Sequence, residues 1–278
     1  MDACLYLVAT PIGNLEDITD RAVRILGEVS FIACEDTRQT RKLLQHYGIS
    51  TPTVSYHEHN EKERSEDLAA RMMAGQTVAL VSDAGTPLIS DPGFRLVQRA
   101  IDLGIRVEPV PGPSAALAAL SASGLPVDTF RFGGFLPPKS GQRRRELERW
   151  SGETGTLIFY EAPHRLAETL ADVEAALGAD RPVAVARELT KAHEEIVRGP
   201  AWAVAREFAA RDSIKGEITL LIGRAPETAA SASEEDLRAE VAKRIEAGAT
   251  PMDAIKEVAR EHRLGKRDVY RIWEGGHR

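Results

Sequence analysis

Four short strings concentrate the residue types that can move protons or hold phosphates: ACEDTR (33–38), SYHEHNE (55–61), YEAPHR (160–165) and VARELTKAHEE (185–195). Each follows or ends an apolar run and mixes carboxylates with Arg, Lys or His. Such a mixture can abstract a proton, steady phosphates, or knit parts of a fold together through ion pairs. His57 and His59 alternate across Glu58, so on a strand they would point the same way. A divalent site needs three or four converging ligands, and no further partner has motif spacing, so no metal is expected.

Three glycine- and proline-bearing turns supply the complementary feature, backbone able to approach a ligand. VSDAGTPLISDPG (81–93) runs from an apolar strand into Asp83 and turns at Gly85, Thr86 and Pro87, and Asp91-Pro92-Gly93 precedes a helix. The segment reads as a ligand-contacting strand-end loop, or as a plain turn with Asp91 as helix N-cap. Gly85 lets main chain come close, and neighbouring N–H groups can hold a carboxylate or ribose. PGPSA (111–115) fixes a second turn with Ser114 able to cap the next helix, and ATPIGN (9–14) ends the first strand in a third. Neither GxGxxG nor GxxxxGK[ST] occurs, which argues against the usual dinucleotide fingerprint and against a P-loop nucleotidase.

Alternating elements must position these turns. Strand-like LYLVAT (5–10), FIACE (31–35), TVSYHE (53–58), TVALVSD (77–83) and VEPV (107–110) alternate with helical spacing over 18–29, Thr37 to Tyr47, Asn60 to Ala74, Phe94 to Leu103 and from Ser114. That alternation predicts an α/β fold with a largely parallel sheet covered on both faces, and ligand crevices at the strand ends. The Gly/Pro-rich stretch 124–141 marks a junction. A second α/β unit follows, with strands at 156–162, 182–190, 194–199 and 217–223 and helices from His164 to Leu177 and through Trp202 to Ala210. The expected organisation is an N-terminal domain over 1–124, a second over 125–225, and a linker with a small helical tail over 226–278. The linker reading covers 224–236, and the tail reads as helices at Leu237–Ala247, Pro251–His262 and Lys266–Trp273. The last two have helix-turn-helix proportions, equally compatible with a plain cap and a nucleic-acid reader.

Charge is uneven. The 278 residues carry 36 Lys and Arg against 42 Asp and Glu, a net −6 that excludes a uniformly basic nucleic-acid coat. Yet Arg131, Lys139, Arg143, Arg144, Arg145 and Arg149 face only Glu146 and Glu148 at the junction, close to Phe132, Phe135 and Trp150. A flexible basic segment with aromatics suits RNA, by counterion release and stacking. Cys4 and Cys34 are too few for a disulfide framework and suit a reducing cytosol. With neither a signal peptide nor an apolar run of ~18–20 residues, the chain reads as soluble and cytoplasmic, with no membrane partner.

Taken in order, ATPIGNLEDIT (9–19), ACEDTR, SYHEHNE, VSDAGTPLISDPG, PGPSA, GFLPPK (134–139), YEAPHR and VARELTKAHEE resemble the bacterial small-subunit ribosomal RNA 2′-O-methyltransferases of the tetrapyrrole methylase superfamily. Eight such strings across 5–223 are highly specific. The resemblance implies two α/β domains of the tetrapyrrole methylase type with S-adenosyl-L-methionine folded into the cleft between them. It implies methyl transfer to the ribose 2′-hydroxyl of a decoding-centre cytidine in 16S rRNA, within the small ribosomal subunit, by a homodimer. It assigns cofactor contacts to Pro11, Ala84, Gly85, Thr86, Ile89, Ser114, Ala115, Glu161 and Leu189. Thr86 stands where corrin-modifying relatives carry an acid, which transfers the amino-group contact to Asp83 or a carbonyl. Glu35, Asp36, Glu161, Glu188 and Lys191 become candidate bases or orienters. Arg38, Arg165 and Arg187, with Lys139, Arg143, Arg144 and Arg145, become the RNA contacts. On this reading Glu188→Gln or Lys191→Ala lowers turnover more than cofactor affinity.

Two alternatives explain part of the pattern. A small-molecule, tetrapyrrole-type methyltransferase keeps the fold and cofactor, but the basic junction, the tail and Thr86 count against it. A non-catalytic RNA-binding assembly factor explains the basic patches but leaves the paired cofactor-type loops without a purpose. Equilibrium dialysis with the methyl donor separates the binder from both enzymes, and the choice of methyl acceptor separates the enzymes.

Overall fold

The structure is a computed structural model that describes residues 3–225, 234–262 and 264–275. Contacts divide the chain into a body over Met1–Arg224 and a smaller unit over Ala225–Arg278.

Two five-stranded sheets build the body. The first contains β1 (Cys4–Val8), β2 (Phe31–Cys34), β3 (Thr53–Ser55), β4 (Val78–Val81) and β5 (Arg106–Val110), in the order β3-β2-β4-β1-β5 with every pair parallel. Parallel neighbours need crossovers, and helices α1 (Asp20–Glu28), α2 (Thr37–His46), α3 (Glu61–Met73) and α4 (Phe94–Asp102) supply them. Successive strand residues point to opposite faces, so both faces must be apolar. Leu5, Phe31, Ala33, Val78 and Leu80 meet Leu68, Met72 and Leu96 of α3 and α4 on one side. Val8, Ile32, Cys34, Ala79 and Val81 meet Ile25, Leu26 and Leu44 of α1 and α2 on the other. Both cysteines are free thiols in this core, and burial pushes each above its ordinary value.

Helix α5 (Ala115–Ser123) leaves the first sheet and packs on the second. Its sequence AALAALSAS keeps one face small, so Ala116, Ala119 and Leu120 lie flat against Ile158, Ala184, Ala186 and Leu221. The two halves therefore share a helix rather than meeting only at a linker.

The second sheet joins β6 (Phe130–Phe135), β7 (Thr156–Glu161), β8 (Pro182–Arg187), β9 (Glu195–Pro200) and β10 (Ile218–Ile222), in the order β6-β7-β10-β8-β9. It is mixed: β6 and β7 are parallel, whereas β10 runs antiparallel to β7 and β8, and β9 to β8. Strand composition does not encode direction, since the central strands β7, β8 and β10 are mostly buried and apolar either way. Helices α6 (Ser140–Arg149), α7 (Leu166–Leu177) and α8 (Ala201–Ala209) belong to this half, and Leu147, Leu170, Val173 and Phe208 cover the face opposite α5.

The smaller unit contains α9 (Glu234–Glu246), α10 (Pro251–Glu261) and α11 (Lys266–Gly275) around Leu237, Val241, Ile255, Val258 and Val269. Thr250 caps α10 and Pro251 occupies its first turn, where a missing N–H costs nothing. Most of the expected linker, 226–233, lies outside the described residues. No helix among the described residues is long and apolar enough to cross a membrane.

Candidate active site

The C-terminal ends of β1, β4 and β5 converge with the ends of β6, β7 and β8 around a cavity of about 400 Å³. Its first-half wall is the loop after β4. Thr10 and Gly85 exchange N–H···O bonds of 2.9 Å each way, and Thr10 Oγ1 donates to the Ser82 carbonyl at 3.1 Å, which pins the loops after β1 and β4 together. Gly85 sits at φ +81, a conformation that favours glycine. Thr86 Oγ1 donates to the Pro113 carbonyl at 3.2 Å and so ties in the turn before α5. Ser114 caps α5, its oxygen accepting from the Leu117 N–H.

Asp83, Ala84, Gly85, Thr86, Ile89, Ser114, Ala115, Glu161 and Leu189 all line this cavity. Pro11 does not; the adjacent Ile12 takes the place in the wall. Glu161 is 3% exposed and its carboxylate is fully engaged. It accepts from the Ala162 N–H at 2.7 Å, from the Arg165 guanidinium and from Thr169 Oγ1 at 2.6 Å. Glu161 therefore fixes the loop after β7, and Arg165 is its partner.

The charged candidates separate by their partners. Asp36 is held down to about 2 by the hydrogen bond from Arg38, which leaves it a poor proton acceptor. Glu188 and Lys191 pair at 2.8 Å, and Glu188 also accepts from the Glu217 N–H at 2.9 Å. The Lys191 bond lowers the Glu188 carboxyl, while Lys191 is raised because its pairing with Glu188 and Glu217 outweighs burial. Both serve as a brace for 216–217, which line the cavity. Glu188 and Thr190 sit at φ 53 and 65, a strained backbone that the brace maintains. Glu35 is raised by partial burial and then by Asp83, but it does not reach the cavity wall.

The basic junction is not a flexible hinge. Arg131 lies in β6, pairs with Glu153 at 3.1 Å and stacks over Trp150. Arg143 is buried, bound to Asp172 at 2.7 Å and to Glu168 at 3.1 Å, which removes it from any RNA surface. Arg144 and Arg149 pair with Asp172 and Glu146, and Arg187 pairs with Glu195 and donates to the Lys215 carbonyl at 3.0 Å. Only Lys139 and Arg145 of the six junction cations have no ion pair among the described residues. Trp150 stacks on Phe159, whereas Phe135 is exposed and lines the cavity. His57 and His59 lie beyond the end of β3, with rings 5.9 Å apart, and no group of three His, Cys, Asp or Glu among the described residues is arranged to hold a metal.

Sequence reasoning left Asp91 between a plain helix N-cap and a ligand loop, and gave it no role at the site. Helix α4 is capped by Gly93 at φ 145, with no side-chain cap, so Asp91 is not the N-cap. Instead it lines the cavity beside Ser90, presented by a loop in which Leu88 and Ser90 occupy φ 72 and 70. Burial, followed by the Glu35 charge, pushes its carboxyl up to about 6. Tyr160 faces it across the cavity, and burial together with the Asp91 charge raises the phenol. A carboxyl ionised at neutral pH yet basic enough to accept a proton is what general-base chemistry needs. The signal in the sequence was the Ser90-Asp91-Pro92-Gly93 run, whose left-handed neighbours cannot be read from residue type.

Comparison with known proteins agrees with this geometry. The family model described as Tetrapyrrole (Corrin/Porphyrin) Methylases matches residues 4–205. A Synechocystis sp. protein named "Ribosomal RNA small subunit methyltransferase I" is 49% identical over 269 residues, covering 96% of each chain. A Mesorhizobium japonicum protein of the same name is 56% identical over 225 residues, 81% of this chain and 76% of its own. Among solved structures, uroporphyrin-III C-methyl transferase from Thermus thermophilus complexed with S-adenyl homocysteine superposes with a TM-score of 0.55 at 21% identity. That match covers 79% of this chain and 96% of the other, and it speaks for the fold. The two sheets, the cavity where their strand ends meet and these relatives place the chain in the tetrapyrrole (corrin/porphyrin) methylase family, among the members called ribosomal RNA small subunit methyltransferase I.

Proposed function

We propose that the chain transfers a methyl group from S-adenosyl-L-methionine to the ribose 2′-hydroxyl of a decoding-centre cytidine in 16S rRNA. The observation that carries this reading is Asp91, a partly buried carboxyl raised to about 6 in the wall of a cavity large enough for a nucleoside-sized donor. The names of the curated relatives support the rRNA acceptor, and the S-adenyl homocysteine complex of a structural neighbour supports the donor.

The cavity suits such a donor. Its volume lies in the range of small-molecule sites, and it combines apolar walls from Ile12, Ala186 and Leu189 with the polar Asp83 and Ser114. We assign Asp83, Ala84, Gly85, Thr86, Ile89, Ser114, Ala115 and Leu189 to donor binding, with Ile12 in place of Pro11. The bound donor supplies an electrophilic methyl on a sulfonium, so the protein must orient the acceptor oxygen and receive its proton. Asp91 accepts that proton, and Glu35 and Asp83 hold its basicity by repulsion. Tyr160 and Phe135 wall the same cavity and exclude water from the reacting oxygen. Glu161 and Arg165 fix one loop, and Glu188 and Lys191 brace the other. None of these roles requires a metal.

We place the reaction in the cytoplasm, on the small ribosomal subunit, by a homodimer. Exposed Phe94 and Ile101, two turns apart on α4, support a subunit contact there. Tritium transfer from the labelled donor into small subunits, against porphyrinoid acceptors, tests the acceptor class. Label in the porphyrinoid alone rejects the reading.

A further inference from the structure

Helix α2 carries charge in a way that internal contacts do not explain. Thr40, Leu43 and Leu44 face the core, which leaves Arg38, Gln39, Arg41, Lys42, Gln45 and His46 exposed. The helix contains no acid. Some helical arginines elsewhere are neutralised by an acid one turn away on their own helix, Arg24 by Glu28 and Arg71 by Asp67. On α2, Arg41 has no ion pair among the described residues, and Lys42 Nζ donates to neutral Gln39 at 2.9 Å. Arg38 is held by the N-cap carboxylate of Asp36 at 2.9 Å, which leaves Arg41 and Lys42 as the cations of this face with no carboxylate partner among the described residues. Two adjacent exposed cations without a carboxylate partner leave this face open to an external polyanion.

Its position says which one. Asp36, the N-cap of α2, donates its N–H to Asp83 Oδ1 at 3.0 Å, and Asp83 lines the cavity. The first two turns of α2, which hold Arg38, Arg41 and Lys42, thus stand beside the cavity on the first sheet. On the second sheet, β6 ends at Phe135 in the cavity wall, and α6 begins five residues later with exposed Lys139 and Arg145. Two helices from opposite halves therefore start close to chain segments that wall the cavity, and both expose cations within their first two turns or at the N-cap.

We propose that the Arg41–Lys42 face of α2 is a docking rail for the sugar–phosphate backbone of the RNA strand whose nucleotide enters the cavity, opposite Lys139 and Arg145. The inference rests on the methyl-transfer reading above and names how its acceptor is held. Phosphate contacts position a strand without reading its bases, which suits a face of cations with no aromatic side chain among them.

The test pairs filter binding of small subunits with initial methylation rates over a series of KCl concentrations. Subunits are taken from cells lacking this protein. Arg41→Ala with Lys42→Ala should weaken subunit binding at least fivefold and lower the log–log salt slope by about 1.4–1.8, given ~0.7–0.9 per phosphate contact. Arg41→Glu with Lys42→Glu should weaken it further. Arg106→Ala is the charge control: this exposed arginine begins β5, at the end of the strand away from the cavity, and its loss should leave the slope unchanged. Donor affinity by calorimetry, unchanged in every variant, shows that the cavity is intact. Equal slopes for the α2 variants and the wild type overturn the rail. If the wild type binds subunits without methylating them, the proposed function fails while the slope still decides the rail. If it does not bind them, both fall.

Discussion

Replacing Asp91 by Asn separates a proton acceptor from a residue that only shapes the cavity. The side chain keeps its size, so the donor site persists, but the group can no longer take a proton. A positioned general base typically contributes ~10²–10⁴-fold, so the single-turnover rate with small subunits should fall by about that factor at neutral pH. The wild-type rate should rise with pH along an acid limb centred at about 6, and the variant should lack that limb. Stability should move the opposite way. A carboxyl raised from 3.8 to about 6 binds its proton more tightly folded than unfolded, so its ionisation destabilises the protein as pH rises through that window. The full shift would correspond to ~3 kcal/mol, and partial solvent access reduces this to about 1 kcal/mol. Asp91→Asn should therefore raise the melting temperature by about 2–4 °C above pH 6, with no gain below pH 3.8. Calorimetry with the donor, rapid-quench methylation between pH 5 and 9, and thermal melts measure the three quantities. A variant that loses donor affinity but keeps its single-turnover rate when saturated would refute the assignment.

Other perturbations follow from the same contacts. Asp172→Ala removes the buried carboxylate of Arg143, leaving it the exposed Glu168 and main-chain carbonyls, and should cost about 3 kcal/mol, read as a melting temperature lower by roughly 10 °C. The Asp172 carboxyl is depressed because the Arg144 and Arg143 bonds outweigh burial, so the wild type should lose this contribution as pH falls below 3.8. Gly13→Ala places a Cβ 2.5 Å from Lys191 Cγ and 2.8 Å from Thr190 Oγ1, which pushes the first-half loop off the 189–191 loop. Donor affinity should drop about tenfold, measured by calorimetry, with a smaller change in the rate at saturation. Glu188→Gln weakens the brace to Lys191 and the Glu217 N–H, and should raise the donor Kd more than it lowers the single-turnover rate, the reverse of the sequence expectation.

The first sheet was legible because its central strands β1, β2 and β4 are continuous apolar runs separated by amphipathic helices, each with one buried stripe. The cavity loops were legible because turns at strand ends need Gly and Pro, and Gly85 does occupy a left-handed conformation. The mixed direction of the second sheet was not, since Ile218–Ile222 reads the same running either way. Nor was the fate of the arginines. Arg143, Arg144 and Arg145 are adjacent in sequence, yet a helix points them to a buried Asp172, to the same carboxylate from outside, and to solvent. Partners 28 and 29 residues away decide which cations remain for RNA. Asp91 was hidden for a similar reason: its burial depends on Leu88 and Ser90 adopting positive φ, which residue type argues against.

The most direct measurement is isotope tracing to the nucleoside. Small subunits from cells lacking this protein are incubated with it and methyl-labelled S-adenosyl-L-methionine, and the rRNA is digested and resolved by mass spectrometry. The account predicts label in a single 2′-O-methylcytidine, and none with Asp91→Asn on the same time scale. Label on a base, or subunits that stay unlabelled while the donor binds the cavity, would contradict it.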